Sequence, residues 1–462
     1  MDHLSGTNPL SNSLRDRDIG HLIHLGTNLA AHQQDGPFVI ARGEGVHIFD
    51  EAGNRYIEAM SGLWCASLGF NVPRLRDAAA RQIDTLAYSH LFFSRSHDQA
   101  IQLAEKLVEL APGNLKKVLF SNSGSEANDA AIKLVWYYQN ARGLPEKKKI
   151  IGRMGGYHGT TIATASLSGI PTMHRGYDLP LSFVEHVDCP HYWKYGLPGE
   201  SEEAYAQRLA EDLEARILRE GAHTIAAFIA EPIIGSGGVI IPPKGYFDLI
   251  LPILKRHDIL FIADEIICGF GRTGEWWGCD VFGINPDILT CGKQLAAGVQ
   301  PISATLMTEE IFDTVSRQSA EIGAFWHGVT HAGHPVCAAV ARETISIYEE
   351  EDTIGHVRAM APIFKQGLEA FASHPLVGEV RAIGLMGALQ LVSDKASKAG
   401  FLPKTAIGPV VRKSALAHGL ALREAGDAVV LSPPLIISAD EIHAMLDRLR
   451  ATLDQVYSEQ TL

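Results

Sequence analysis

From about Leu75 onward the chain alternates two textures, and this alternation restricts the fold more than any other feature. "KKVLFS", "KIIGRM", "TIAAFIAEP" and "ILFIADE" are short and apolar. The stretches between them, "SEANDAAIKLVWYYQNAR", "AYAQRLAEDLEARILREG" and "GYFDLILPILKRHD", are long and carry a helical pattern. Strands joined through helices return in the same direction, so βαβ units and a mainly parallel sheet follow. Such a sheet is covered on both faces, which explains strands that are apolar throughout.

After "HAGHPVCAAVARETISIYEEE" the texture changes. "GEVRAIGLMGALQLV", "GPVVRKSALAHGLALRE" and "DAVVLSPPLIIS" lead to a last helix, "ADEIHAMLDRLRATLDQVY". They read as a smaller α+β unit. Near the start, "VHIFDEAGNRYIEA" alternates around a turn signal and reads as a hairpin. The first eighteen residues read as a loose arm. The expected division is 1–70, arm and hairpin packing with the small domain; 71–335, the large domain; and 336–462, the small domain.

Composition excludes some partners. The net charge of −13 comes from interspersed acids and bases, which argues against nucleic acid or an anionic membrane. No apolar run is long enough to span a bilayer. The polar start, with its early acids, is neither a secretory signal nor a clear transit peptide. Six scattered cysteines without a C-x-x-C pair suit reduced thiols. A cytoplasmic enzyme is the expectation.

Four stretches carry candidate chemistry. "LTCGKQLAAG" places Lys293 among small and apolar neighbours. It is either a surface lysine in a loop or a desolvated amine tuned for Schiff-base chemistry. "ILFIADEIICGFGRTG" ends a buried strand in Asp264 and Glu265. These are either solvated loop acids, or Asp264 faces a cationic ligand at the strand's carboxyl end. Gly269, Gly271 and Gly274 spell G-x-G-x-x-G, but "EWWGCD" follows where a dinucleotide-binding helix would begin. "FSNSGSEAND" offers a capping box, Ser123 with Glu126, or a phosphate cradle at Gly124 and Ser125. "GGYHGTT" sets Tyr157 and His158 in a glycine loop, where Tyr157 either stacks on a flat ring or half-buries in a turn. A fifth stretch, "FWHGVTHAGHP", holds His327, His331 and His334. Its spacing lacks H-E-x-x-H, and glycine and proline interrupt any helix, so no metal is expected there.

Together these motifs resemble the pyridoxal-phosphate enzymes of fold type I, specifically the class III aminotransferases. The similarity runs from "GTNLAAHQQDGPFVIARGEGVHIFDEAGNRYIEAMSGLW" to "VVLSPPLII". "SNSGSEAND", "GGYHGTT", "AEPIIGSGGVI", "ADEIICGFGRTG" and "CGKQLAAGVQP" stand in the family's order and spacing. "SGLWCASLGF", "HLFFSRSHDQ" and "ALREAGDAVVLSPPL" point to its ω-amine:pyruvate branch.

The resemblance implies roles. Lys293 would hold the cofactor and carry protons, and Asp264 would keep the pyridine nitrogen protonated. Tyr157 and Ile266 would flank the ring, with His158 in the same loop and Glu231 behind. Gly124 and Ser125 would hold the phosphate, joined by Thr330 from the other subunit. Leu63, Trp64, Phe92, Tyr157 and Arg423 would shape the substrate pocket, Arg423 as a mobile grip on a carboxylate. His331 stands where the branch more often has tyrosine. The implied enzyme is a homodimer with composite active sites, or a tetramer of such dimers. It would move an amino group from a primary amine or ω-amino acid to pyruvate, with preference for (S)-amines. Its rivals are a class III enzyme using 2-oxoglutarate, of ornithine or 4-aminobutyrate type, and an aminomutase. Trp64 argues against them, since an aromatic wall suits an apolar donor. More distant rivals are a metal-dependent amine hydrolase and a non-catalytic pyridoxal-phosphate-binding regulator.

Overall fold

The structure is a computed structural model that describes residues 13–401 and 406–460. Its centre is a seven-stranded sheet. Across the sheet the strands are Leu115–Ser121, Ser303–Thr308, Ile288–Cys291, Leu260–Asp264, Ile225–Ala230, Lys149–Arg153 and Val184–Val187. Only Ser303–Thr308 runs against its neighbours. The sheet is therefore mainly parallel, in the fold type I arrangement, with one reversed strand that the sequence pattern did not reveal.

Ile225–Ala230 is buried at every position. Its successive side chains serve two different cores, because a strand points alternate residues to opposite faces. Ala227 and Ile229 pack with Ala131, Leu134 and Val135 of the helix Gly124–Ala141. Phe228 and Ala230 join the core of Tyr246, Phe247 and Ile250 on the helix Tyr246–Arg256. With helices on both faces, no polar alternation is needed.

Two smaller sheets complete the fold. Val377–Ile383, Met386–Leu391, Ala428–Leu431 and Arg423–Ala425 form, in that spatial order, an antiparallel sheet. Near the start, Ile40–Glu44, His47–Asp50 and Arg55–Glu58 form another, in which Ile57 and Glu58 pair in parallel with Leu420 and Ala421. The N-terminal hairpin and the C-terminal region thus share a sheet. The helix Pro335–Glu350, at the expected boundary, packs against Pro73–Leu86 and Asp98–Leu110 of the preceding part. Residues 1–12 of the expected arm lie outside the described residues. The rest of it differs from expectation: Leu14–His21 is helical, because Ser13 caps it by accepting from the Asp16 amide. No helix among the described residues is long and apolar enough to cross a membrane.

One edge of the central sheet matters most. The strands ending at Ser121, Arg153, Ala230, Asp264 and Cys291 all finish there. Open parallel sheets bind ligands at this edge.

Candidate active site

An open cavity lies at that edge. Each strand contributes the residue or loop that follows it. Lys293 comes directly after the strand Ile288–Cys291 and Gly292, with a left-handed φ of 44°. Its side chain lines the cavity, so it is not a lysine reaching out from a surface loop. Burial pushes its amine below the usual lysine range, against the opposing pull of Asp264, Cys65 and Glu231.

Asp264 is buried and oriented by three donors. Its Oδ2 accepts from Asn128 Nδ2 and from His158 Nδ1, both at 2.8 Å. Its Oδ1 accepts from the Ile266 amide at 3.2 Å. Asn128 also donates to the His158 carbonyl, and its own oxygen accepts from Thr290 Oγ1 at 2.8 Å. The carboxylate is thereby locked to the helix Gly124–Ala141, to the glycine loop and, through Asn128, to the neighbouring strand Ile288–Cys291. Glu265 points elsewhere: it is fully buried and accepts from the amides of Gly278 and Cys279, at 3.0 and 2.6 Å. Neither acid is solvated. Adjacent strand residues face opposite sides, and only Asp264 faces the cavity.

The glycine loop and the helix start meet across the cavity. Ser123 caps the helix Gly124–Ala141 by accepting from the Glu126 amide. Glu126 reaches back to Asn122 rather than to the cap itself, at 2.7 Å, so the box closes one residue early. A Cβ on Gly124 would sit 3.1 Å from Ile266 Cγ2. Gly159, with φ of 136°, packs so tightly that a Cβ would lie 2.6 Å from Ser125 Oγ. Only glycine allows this approach. Ser125 Oγ accepts from the Thr160 amide at 3.1 Å, which fastens the two loops together. Behind Tyr157, Glu231 accepts from the Tyr157 and Gly235 amides, both at 2.9 Å. Burial raises the Glu231 carboxyl.

Gly124, Ser125, Tyr157, His158, Glu231, Asp264, Ile266 and Lys293 therefore share one cavity, together with Gly159 and Ile267. Sequence reasoning missed Asn128, Gly159 and Ile267. Asn128 left one signal: it is a poor helix former placed one turn after Gly124.

The remaining candidates lie elsewhere. Arg423 is half-buried on its short strand and acts electrostatically on Tyr157, opposing the burial that pushes the Tyr157 phenol up. Trp64 does not line the cavity. It is fully buried with Ile233, Val239 and Ile267, so it backs the loop that does. Leu63 is exposed. Phe92 and Thr330 are absent from the cavity of their own chain. They lie in segments that touch: the Tyr88 hydroxyl donates to the Thr330 carbonyl at 3.0 Å, and Phe92 packs against Gly328. His331 and His334 stand around Tyr88, and His334 Nδ1 accepts from Val336 to cap its helix.

The cavity suits pyridoxal phosphate. An amine can meet its aldehyde, a fixed buried carboxylate its pyridinium, and a helix N-terminus with glycine and serine its phosphate. His158 Nε2 is buried without a partner among the described residues.

Comparison with known proteins agrees. The family model for class III aminotransferases matches residues 29–453. The chain belongs to this family of pyridoxal-phosphate enzymes and is an aminotransferase. It is 48% identical over 411 residues to "Gamma aminobutyrate transaminase 3, chloroplastic" of Solanum lycopersicum, covering 89% of this chain and 79% of that protein. The crystal structure of the omega transaminase from Pseudomonas jessenii in complex with PMP superposes with a TM-score of 0.95 at 49% identity, covering 96% of this chain and 98% of that one. A PMP-bound aminotransferase from Vibrio fluvialis gives 0.95 at 42%, covering 97% and 99%.

Proposed function

We propose that this aminotransferase takes an amino group from a primary amine or ω-amino acid and passes it to pyruvate, in two half-reactions that share one cavity. The observation that carries the reading is the convergence of Lys293, Asp264 and the start of the helix Gly124–Ala141 on that cavity. When bound, the cofactor supplies an electron sink for the carbon that loses its proton.

The chain's residues do the rest. Lys293 would hold the cofactor covalently and, once released, carry the proton on Nζ, a task that the burial lowering its basicity favours. Asp264, fixed by Asn128, His158 and Ile266, would keep a proton on the ring nitrogen. Tyr157 and Ile266 would bound the ring, and Gly124 and Ser125 would bind the phosphate through free amides and a hydroxyl. Arg423 would grip the keto-acid carboxylate with two parallel N–H bonds and withdraw for an uncharged donor. Omega transaminases among the similar structures support an amine donor. Relatives named for gamma-aminobutyrate support an ω-amino acid among the donors.

The reading includes a two-fold dimer. Phe93 and Trp326 are 81% and 74% exposed beside Phe92 and Thr330, which a lone chain leaves to water. Isologous pairing would cover them and give two identical composite sites. Six free thiols fit a reducing cytoplasm.

A donor panel tests the function. 4-Aminobutyrate, β-alanine and an arylalkylamine are each paired with pyruvate and with 2-oxoglutarate, following the cofactor's aldehyde absorbance. Faster return with pyruvate is expected. Faster return with 2-oxoglutarate would replace the reading with the 2-oxoglutarate-dependent one.

A further inference from the structure

The histidines conspicuous in the sequence do not converge, but two others do. His24 Nε2 lies 2.9 Å from Asp18 Oδ1 and 3.0 Å from Oδ2. His32 Nε2 lies 3.0 Å from the same Oδ1. The two rings face each other, with centroids 4.2 Å apart. Among the described residues this is the only group of three or more His, Cys, Asp or Glu side chains whose ligand atoms all lie within 4.8 Å of one another.

The local structure shows why polar groups must hold this segment. Asp18 belongs to the helix Leu14–His21, His32 to the helix Leu29–Asp35, and His24 to the link between them. Neither helix contains a buried residue. Apolar packing therefore contributes little, and two such short helices are marginal alone. Arg15 already ties them by donating to the carbonyls of Asp35 and Gln34, both at 2.6 Å.

We propose that Asp18, His24 and His32 bind one divalent transition-metal ion of the zinc class, which clips the two helices together. Two imidazole nitrogens and one carboxylate oxygen suit a borderline ion; calcium and magnesium prefer oxygen throughout. Nitrogen–oxygen separations near 3 Å need only a small expansion to surround a zinc ion with bonds of about 2.0–2.2 Å. His24 is 30% exposed, which leaves room for water to complete the coordination. The site is separate from the cavity, and its role is structural. The inference stands independently of the proposed substrates.

The test uses the holoenzyme, stripped by chelator and titrated with zinc chloride by equilibrium dialysis, alongside zinc-soaked crystals measured at the zinc absorption edge. One zinc per chain is expected, with an anomalous peak among the three side chains. Asp18→Ala and the double variant His24→Ala/His32→Ala should weaken binding by more than the ~10–100-fold typical of losing an outer-shell partner. Zinc should slow proteolysis around Leu22–Leu25 in the wild type and not in the variants. Transaminase activity should be unchanged by the chelator. A wild-type crystal without a peak at these residues, or unchanged zinc affinity in Asp18→Ala, would mean a hydrogen-bonded triad only and would overturn the proposal.

Discussion

At the carboxyl edge of the sheet, Asp264 and Glu231 find their donors within one chain: Asn128, His158 and Ile266 for the first, Tyr157 and Gly235 for the second. Around Thr330 the chain does the opposite. Phe93 and Trp326 stand exposed, and Thr330 reaches no part of its own cavity. The first region is finished by folding. The second leaves apolar side chains exposed, which the proposed dimer would cover. The residues proposed to serve the cofactor are thus oriented within one chain, whereas those proposed to close the pocket would need a neighbour.

Breaking the first region should have the largest effect. Lys293→Ala would remove both the proposed covalent anchor and the proposed proton carrier, and turnover should fall by ~10⁴ or more while the fold persists. Borohydride reduction of the wild type followed by peptide mapping checks the anchor. A label on any other lysine would sink the assignment. Asp264→Asn keeps the shape and removes the charge. Losing one preorganised electrostatic partner costs ~10²–10³ in rate, and that is the expected fall in single-turnover measurements. A near wild-type rate would show that Asp264 does not serve the ring.

The second region is tested by complementation. Lys293→Ala and Thr330→Trp chains, each inactive alone, are mixed under subunit exchange. If sites are composite, the mixed dimer has one intact site, formed by a wild-type Lys293 and its partner's wild-type Thr330. Random pairing then restores roughly a quarter of wild-type activity. No recovery after proven exchange would place both residues in the same chain's site. Arg423 acts electrostatically on Tyr157 of the first region. Arg423→Ala should raise KM for pyruvate by ~10–100-fold, since charge-assisted bonds contribute ~1.5–3 kcal/mol. KM for a simple amine should hardly move; equal shifts in both half-reactions would count against a carboxylate grip.

The two regions also differed in how well the sequence revealed them. Lys293, Asp264, Gly124 and Tyr157 stand next to strand ends, so local pattern located them. Ser303–Thr308 lies between two strands and runs against both, a reversal that leaves no signature in "SATLMT". Asn128 was missed because its partners, Asp264 and Thr290, are 136 and 162 positions away. The burial of Trp64 in one cluster with Ile267 is a tertiary fact, invisible in "SGLW". Asp18, His24 and His32 escaped because only the turn between two short helices brings them together. Conversely, the visible triplet His327, His331 and His334 gave no convergence.

The smallest expected effect separates the cavity from its back wall. Glu265 is the residue next to Asp264, yet it binds two amides away from the cavity, and burial pushes its carboxyl up to about 7. Between the ordinary glutamate value of 4.5 and about 7, the folded protein holds a proton that the unfolded chain releases. This contribution to stability is fully present below the ordinary value and is lost as pH rises through about 7. Glu58, raised to about 7 by the same cause, contributes a similar slope. Glu265→Gln cannot titrate, so its share of the slope should vanish while that of Glu58 stays. The amide nitrogen would face the Gly278 or Cys279 N–H, which should cost ~1–3 kcal/mol at acidic pH. Above neutrality the gap should narrow, because wild type must then bury a charge. Unfolding midpoints from pH 4.5 to 8 measure it, with single-turnover rates staying close to wild type. An unchanged slope would mean that Glu265 is ionised throughout; a rate loss matching that of Asp264→Asn would erase the distinction between the two faces of this strand end.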